Sequence, residues 1–147
     1  MLRAYKYRIY PTDEQKVLFA KTFGCCRFVY NWALNLKIEA YRQEKRSVAY
    51  KEVQDRLVNE LKKENQWLAE VNSQALLNSI RNLDIAYKNF FRDTHAVEFP
   101  RFKSRKNRQS FQCPQHCSID FAKGTITIPK AKDIPCLLYT SPSPRDR

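Results

Sequence analysis

Five cations fall between residues 101 and 108 with no acid among them: Arg101, Lys103, Arg105, Lys106 and Arg108. Guanidinium and ammonium groups at this density neutralise phosphates and release condensed counterions. Phe99, Phe102 and Phe111 flank the run, and aromatic rings beside cations can stack on unpaired bases. A solvated surface loop is the plain alternative for any charge run, and Phe99 and Phe102 read more readily as core anchors than as stacking platforms. Whole-chain charge favours the functional reading. Lys and Arg number 27 against 15 Asp and Glu, a net charge of +12. That excess points to a polyanionic partner, with nucleic acid ahead of an anionic membrane surface.

A second basic and aromatic interleaving opens the chain, with Arg3, Lys6 and Arg8 among Tyr5, Tyr7 and Tyr10. One face can meet a core while the other meets phosphates, but an edge strand protected by charge fits the residues equally well. Tyr50, Lys51 and Gln54 lie on the first turns of one predicted helix, and Ser73, Gln74 and Asn78 on those of another. Polar side chains there bind phosphates, read base edges, or simply cap and solvate the helix. The candidate DNA-binding residues are therefore Tyr50, Gln54, Ser73, Gln74 and Asn78. The candidate phosphate- or RNA-binding residues are Arg3, Lys6, Arg8, Arg101, Lys103, Arg105, Lys106 and Arg108. Trp32 and Trp67 read as core.

Other chemistry finds little support. There is no Gly-rich phosphate loop, no nucleophile beside a base and no HExxH pattern. His95 and His116 are isolated. Asp13, Glu14, Glu52, Asp55, Glu60, Glu64 and Glu70 are scattered over predicted helix surfaces, whereas a metal-dependent nuclease needs converging carboxylates. No catalytic residue and no small-molecule substrate are assigned. The five cysteines, with Cys25 and Cys26 adjacent, make a poor disulfide framework and suit a reducing compartment. Cys113 and Cys117 flank His116, yet the spacing is not a paired zinc-ligand pattern, so no metal site is assigned. No apolar run approaches membrane-spanning length and no signal-peptide core opens the chain. A soluble, intracellular protein is expected.

The elements that must position these residues follow from periodicity. Residues 2–10 read as a strand ended by Pro11, and Thr12 with Gln15 forms a capping box. The helix from Asp13 carries Val17, Leu18 and Phe23 inward, and Gly24 is a place for a kink. A second helical run places Val29, Trp32, Ala33, Leu36 and Ala40 on one face. After a polar connection, residues 50–63 read as a helix with Val53, Leu57 and Leu61 inward. Trp67, Leu68 and Val71 anchor a turn, and Asn72 or Ser73 caps a long helix ending at residues 92–94. Its stripe is Leu76, Ile80, Leu83, Tyr87 and Phe90, widened by Leu77 and Phe91. Beyond the basic loop the period becomes two. Residues 110–113 suit a short strand, and Ile119 and Phe121 with Ile126 and Ile128 around Ala122-Lys123-Gly124 signal a hairpin. The fold class is α+β, an antiparallel sheet or barrel interrupted by a helical insertion. Residues 136–147 break the pattern. CLLYTSPSPRD resembles a translated sequencing-library adapter, so the natural sequence is expected to depart near Pro135 and to continue differently.

KYRIYPTDEQ, CRFVYNWAL, AYKNFFR and FPRFK, in this order, resemble the N-terminal region of TnpB (OrfB) proteins of insertion sequences, over about residues 1–130. The resemblance implies a helical recognition domain inserted into a wedge-type, OB-like antiparallel β-barrel, here partial and truncated. It places the first barrel strand at 1–11, the recognition insertion at 12–98, the basic loop and return to the barrel at 99–135, and a non-native tail at 136–147. It also implies an RNA-guided DNA endonuclease as parent, with guide RNA and target DNA as partners. The RuvC-like catalytic half, its divalent metal and a zinc finger would then lie further downstream, leaving this chain without catalysis or cofactor. The setting would be a prokaryotic cytoplasm, at the nucleoid. Tyr50 matches a family position near the target-adjacent duplex, and Gln54 lies one turn on. Ser73 and Leu77 stand where close relatives carry Lys and Gln, with Gln74 or Asn78 as substitutes. A helix-turn-helix domain binding DNA directly and an RNA-binding accessory protein are the alternatives.

Overall fold

A computed structural model of the chain describes residues 4–93, 95–106 and 108–136. The described residues form two compact units, one of residues up to Ala20 together with those from Cys113 onward, the other Lys21–Gln112. The fold is α+β, with helices followed by an open three-stranded antiparallel sheet.

Helix α1 spans Asp13–Glu44, 32 residues without interruption. Its start is the expected capping box. The Thr12 amide donates to Gln15 Oε1 at 2.9 Å and the Gln15 amide donates to Thr12 Oγ1 at 3.2 Å. Gly24 does not interrupt the helix, and a Cβ there would meet nothing closer than an Arg27 nitrogen at 3.7 Å. The inward stripe keeps the expected Val29 and Ala33, with Trp32, Leu36 and Ala40 partly buried against the core, and differs elsewhere. Cys25, Cys26, Val29, Tyr30, Ala33 and Leu34 are buried, whereas Val17 is 57% exposed.

Helix α2, Tyr50–Arg56, runs through a π-helical turn at Leu57–Leu61 into α3, Lys62–Glu64. The Lys62 amide reaches back to the Leu57 carbonyl. Val53, Leu57 and Leu61 point inward as their spacing predicts. A 3-10 turn, Gln66–Glu70, follows. There Leu68 and Val71 are buried but Trp67 is not a core residue. It is 44% exposed and lies edge-on against Phe28 at 5.0 Å, since neighbouring positions of a tight turn cannot share one inward direction.

Helix α4, Ser73–Arg92, begins at Asn72, whose side chain accepts from the Gln74 amide at 3.2 Å. Leu76, Ile80 and Leu83 are fully buried in one cluster with Val29, Ala33, Leu34, Val53, Leu57 and Leu68. The Cys26 thiol donates to the Ala75 carbonyl at 3.6 Å where α1 meets α4. The stripe loses its cover toward the helix end, and Phe91 is 69% exposed. Burial pushes the Cys25 thiol up to about 11, which keeps it protonated as a packing group.

The first unit departs most from expectation. The predicted strand at residues 2–10 is reduced, among its described residues, to one bridge between Ile9 and Cys136, with the Tyr10 amide donating to the Pro135 carbonyl at 2.7 Å. Residues 110–113 form no strand. The hairpin is present as β1, Ser118–Asp120, and β2, Thr125–Ile128. Asp120 Oδ1 accepts from the Ala122 and Lys123 amides at 3.0 and 3.1 Å, and Gly124 takes φ 69° to close the turn. A third strand, β3, Ala131–Pro135, pairs with the far edge of β2, so β2 is central rather than an open edge. Ile126 pairs with Ile134 and Ile128 with Ala131. One extra residue on β3 makes a bulge, and Asp133 there has φ 51°. The Gln15 side-chain amide donates to the Lys132 carbonyl at 2.8 Å. Cys136 is described and buried, and its amide donates to the Gly124 carbonyl at 2.9 Å; the rest of the tail lies outside the described residues.

Ile80→Ala is expected to cost about 2–5 kcal/mol in urea unfolding, as for a fully buried aliphatic residue, while Val17→Ala stays within about 0.5 kcal/mol. Equal losses for the two would contradict the observed stripe. Lys130, between β2 and β3, holds φ 71°, so Lys130→Gly is expected to stabilise the sheet by up to about 1 kcal/mol. Faster amide exchange in β3 after that change would refute the turn assignment.

Candidate nucleic-acid interface

The basic loop is anchored by one asparagine on α1. The Lys103 amide donates to Asn31 Oδ1 at 2.7 Å, and Asn31 Nδ2 donates to the Lys103 carbonyl at 2.9 Å. This two-point grip imitates strand pairing with a side chain and satisfies both backbone groups. The Lys103 ammonium lies 4.5 Å from the centroid of the Tyr30 ring, an attractive placement over the π face. Phe111 closes the loop, edge-on to Phe23 at 5.4 Å.

Between α1, α4 and this loop lies a cavity of about 110 Å³. Arg27 and Tyr30 line it from α1, Asn78, Ser79 and Asn82 from α4, and Lys103, Ser104, Arg108 and Gln109 from the loop. Three cations and no carboxylate face the space, while the amides and hydroxyls offer both donors and acceptors. At roughly 30 Å³ per water the cavity has room for only a few, so it suits one small polar group of a larger ligand. Its field favours an anion.

The predicted residues divide accordingly. Asn78, Lys103 and Arg108 converge on the cavity. Arg105 and Lys106 are exposed on the same loop and, like Arg108, carry no ion pair among the described residues. Arg101 is exposed but pairs with Glu98 at 2.7 Å, and so keeps a partner that a phosphate would have to replace. Phe102 is 53% exposed and is not a core anchor. Ser73 is exposed at the start of α4, and the Gln74 backbone N–H donates to the Asn72 cap. Tyr50 and Gln54 are half-buried at the start of α2, with the Arg81 guanidinium 5.9 Å from the Tyr50 ring. Leu77 packs against the core. Lys6 and Arg8 are exposed in the first unit. Arg3 lies outside the described residues. Among the described residues no cluster of His, Cys, Asp and Glu is arranged to hold a metal, and no helix is long and apolar enough to cross a membrane.

The OrfB-type helix-turn-helix domain family matches residues 1–46. A Streptomyces pristinaespiralis protein named as a candidate RNA-guided DNA endonuclease is 36% identical over 143 residues, covering 97% of this chain and 35% of that protein. InsQ of Escherichia coli K12, with the same functional name, is 36% identical over 130 residues, 88% of this chain and 32% of InsQ. The virulence protein VsdF of Salmonella dublin is 35% identical over 116 residues, 74% of this chain and 98% of VsdF. The chain belongs to the TnpB/OrfB family of insertion-sequence proteins. It spans about a third of the length of the first two relatives. Within the segment that the family domain matches, the described residues 13–44 form one continuous helix.

In this TnpB/OrfB chain, sequence reading missed Arg27, Asn31 and Asn82. Asn82 had a local signal, since it lies one turn beyond Asn78 on the polar face of α4. Arg27 and Asn31 had none, because only the packing of α1 against the loop makes them neighbours of Lys103.

Asn31→Ala removes both bonds to the Lys103 backbone, each worth about 0.5–1.5 kcal/mol net. Hydrogen exchange at the Lys103 amide is expected to accelerate about tenfold or more, with core amides of α4 unchanged. Unchanged exchange at Lys103 would show that Asn31 does not hold the loop.

Proposed function

We propose that this chain is the nucleic-acid-binding N-terminal region of a transposon-encoded, RNA-guided DNA endonuclease, engaging guide RNA and the target-adjacent duplex. The observation that carries this reading is the acid-free, tri-cationic cavity where α1, α4 and the basic loop meet, in a chain whose relatives bear that endonuclease name. Phosphates bind Lys103, Arg105, Lys106 and Arg108, with Arg27 as a further contact. Lys6, Arg8 and Arg101 make outlying contacts. Asn78 and Asn82 present amides that can donate to and accept from base edges. Tyr50, Gln54, Ser73 and Gln74, at the starts of α2 and α4, are the further contacts to the target-adjacent duplex. In the parent, the helical region is an insertion in a wedge-type barrel to which the three strands contribute. Cleavage belongs to a RuvC-like part with divalent metal, and zinc to a finger beyond it. By itself the chain binds without cutting.

A direct DNA-binding role without RNA is the competing reading, favoured by the helix-turn-helix name of the matching family. The unbroken α1 presents no turn between two short helices in that segment, which weighs against groove insertion by that route.

Titration of the chain with cognate guide RNA, the guide paired to its target, and unrelated duplex at several salt concentrations tests the proposal. Cognate RNA is expected to bind at least about a thousandfold tighter than unrelated duplex, the lower end of the range by which specific sites exceed non-specific ones. Arg105→Ala with Lys106→Ala and Arg108→Ala should weaken all three and reduce the salt slope by about one per lost phosphate contact. Equal affinity for all three ligands would reduce the protein to a generic polyanion binder.

A further inference from the structure

A second cleft opens away from the cavity, beside the C-terminal half of α4. It measures about 1040 Å³ and lies against the end of α1 and residues 46–49. Its floor and walls are aromatic. Tyr41 is 60% exposed, Phe91 69% and Phe99 42%. These rings are held in place by their neighbours: Phe91 stacks near Tyr87 at 6.1 Å, and Phe99 stands edge-on to both Tyr87 and Phe90 at 5.3 Å. The Lys45 ammonium covers the Tyr41 ring at 5.3 Å. Five of the residues lining the cleft are cations and only Asp84 is an acid.

We propose that this cleft binds a single-stranded nucleic-acid segment, its bases stacking on Tyr41, Phe91 and Phe99 and its phosphates meeting Arg42, Lys88 and Arg92. The composition separates this occupant from a protein partner. Cores of protein interfaces are depleted of charge, whereas the cleft sets flat rings among five cations and one acid, with Arg46 already paired to Glu44 and Glu52; rings beside an excess of cations are the pattern of a sequence-tolerant stacking groove. Arg92 has no acidic partner among the described residues, the pair Arg42–Glu39 at 3.1 Å is solvent-exposed, and in the pair Lys88–Asp84 at 3.2 Å the lysine is exposed while Asp84 is half-buried. Exposed pairs of this kind contribute little and exchange readily for phosphate. Lys37 is spent structurally, donating to the Val48 carbonyl at 2.6 Å beside the Tyr87 ring. An unpaired strand is favoured over a duplex because paired bases keep their faces in their own stack and cannot meet the rings. The site is separate from the basic loop and does not require the guide-RNA reading.

The test is fluorescence anisotropy on the full chain with labelled oligo(dT), oligo(rU) and a blunt-ended duplex. Tyr41→Ala with Phe91→Ala is expected to weaken binding of oligo(dT), oligo(rU) or both by about tenfold or more, from stacking losses of one or two bases, and to leave duplex binding within about twofold. Phe91→Tyr should retain single-strand affinity. Both replaced residues are largely exposed, and matching urea midpoints would verify that the double variant folds. The two homopolymers distinguish DNA from RNA as the strand. Unchanged affinity for both in a folded double variant would overturn the proposal. So would sedimentation showing a dimer that Phe91→Ala dissolves, which would assign the cleft to a second copy of the chain. The basic-loop triple variant serves as the separate control: its failure to affect duplex binding would sink the loop reading and leave the cleft result standing.

Discussion

Burial of the α4 stripe is the constraint on which the second unit depends. Leu76, Ile80 and Leu83 have no accessible surface, and each such side chain contributes about 1.5–3 kcal/mol when fully removed from water. To satisfy them, α1 must present Val29, Ala33 and Leu34, and the α2 stretch must present Val53 and Leu57. Everything polar is arranged around that demand. Asn78 and Asn82 are left on the far side of α4, and Arg27 and Asn31 emerge from α1 where the basic loop crosses. The cavity is thus a by-product of packing two helices whose polar faces converge on one edge.

Electrostatics then distinguishes the two surfaces. In the loop, Arg105, Lys106 and Arg108 face solvent without acids, so their field is uncompensated. On the α2 side, Arg46 pairs with Glu44 at 3.1 Å and with Glu52 at 2.9 Å, and Arg56 adds further contacts to Glu52 and Glu60. The hydrogen bond from Arg46 holds the Glu52 carboxyl below its ordinary range. That network is exposed and adds little to stability, but it neutralises one face and leaves the net charge of +12 to act elsewhere.

Local chemistry made several elements readable. The capping box at Thr12 and Gln15, the Asn72 cap, the α4 stripe as far as Leu83, and the Asp120 to Gly124 turn are set by contacts within a few residues. The third strand escaped for an equally local reason. Its turn uses Lys130 at φ 71° where glycine or asparagine would give the signal, and its bulge puts Ala131 and Ile134 inward at a spacing of three instead of two. The strand expected at residues 2–10 is the opposite case. Its composition suits a strand, yet pairing needs a partner, and among the described residues only Ile9 finds one, at Cys136.

Short-range periodicity, turn chemistry and ordered motifs made the helical block, the hairpin, the excess positive charge and the family legible in the residues. The tertiary structure alone decided that α1 is unbroken, that Trp67 faces solvent, that Asn31 grips Lys103 and that Arg27 joins Asn78 and Arg108 around one cavity. Asn31 and Lys103 are 72 positions apart, and no local preference of either residue encodes the other. Such contacts arise only when burial of the common core brings distant segments together.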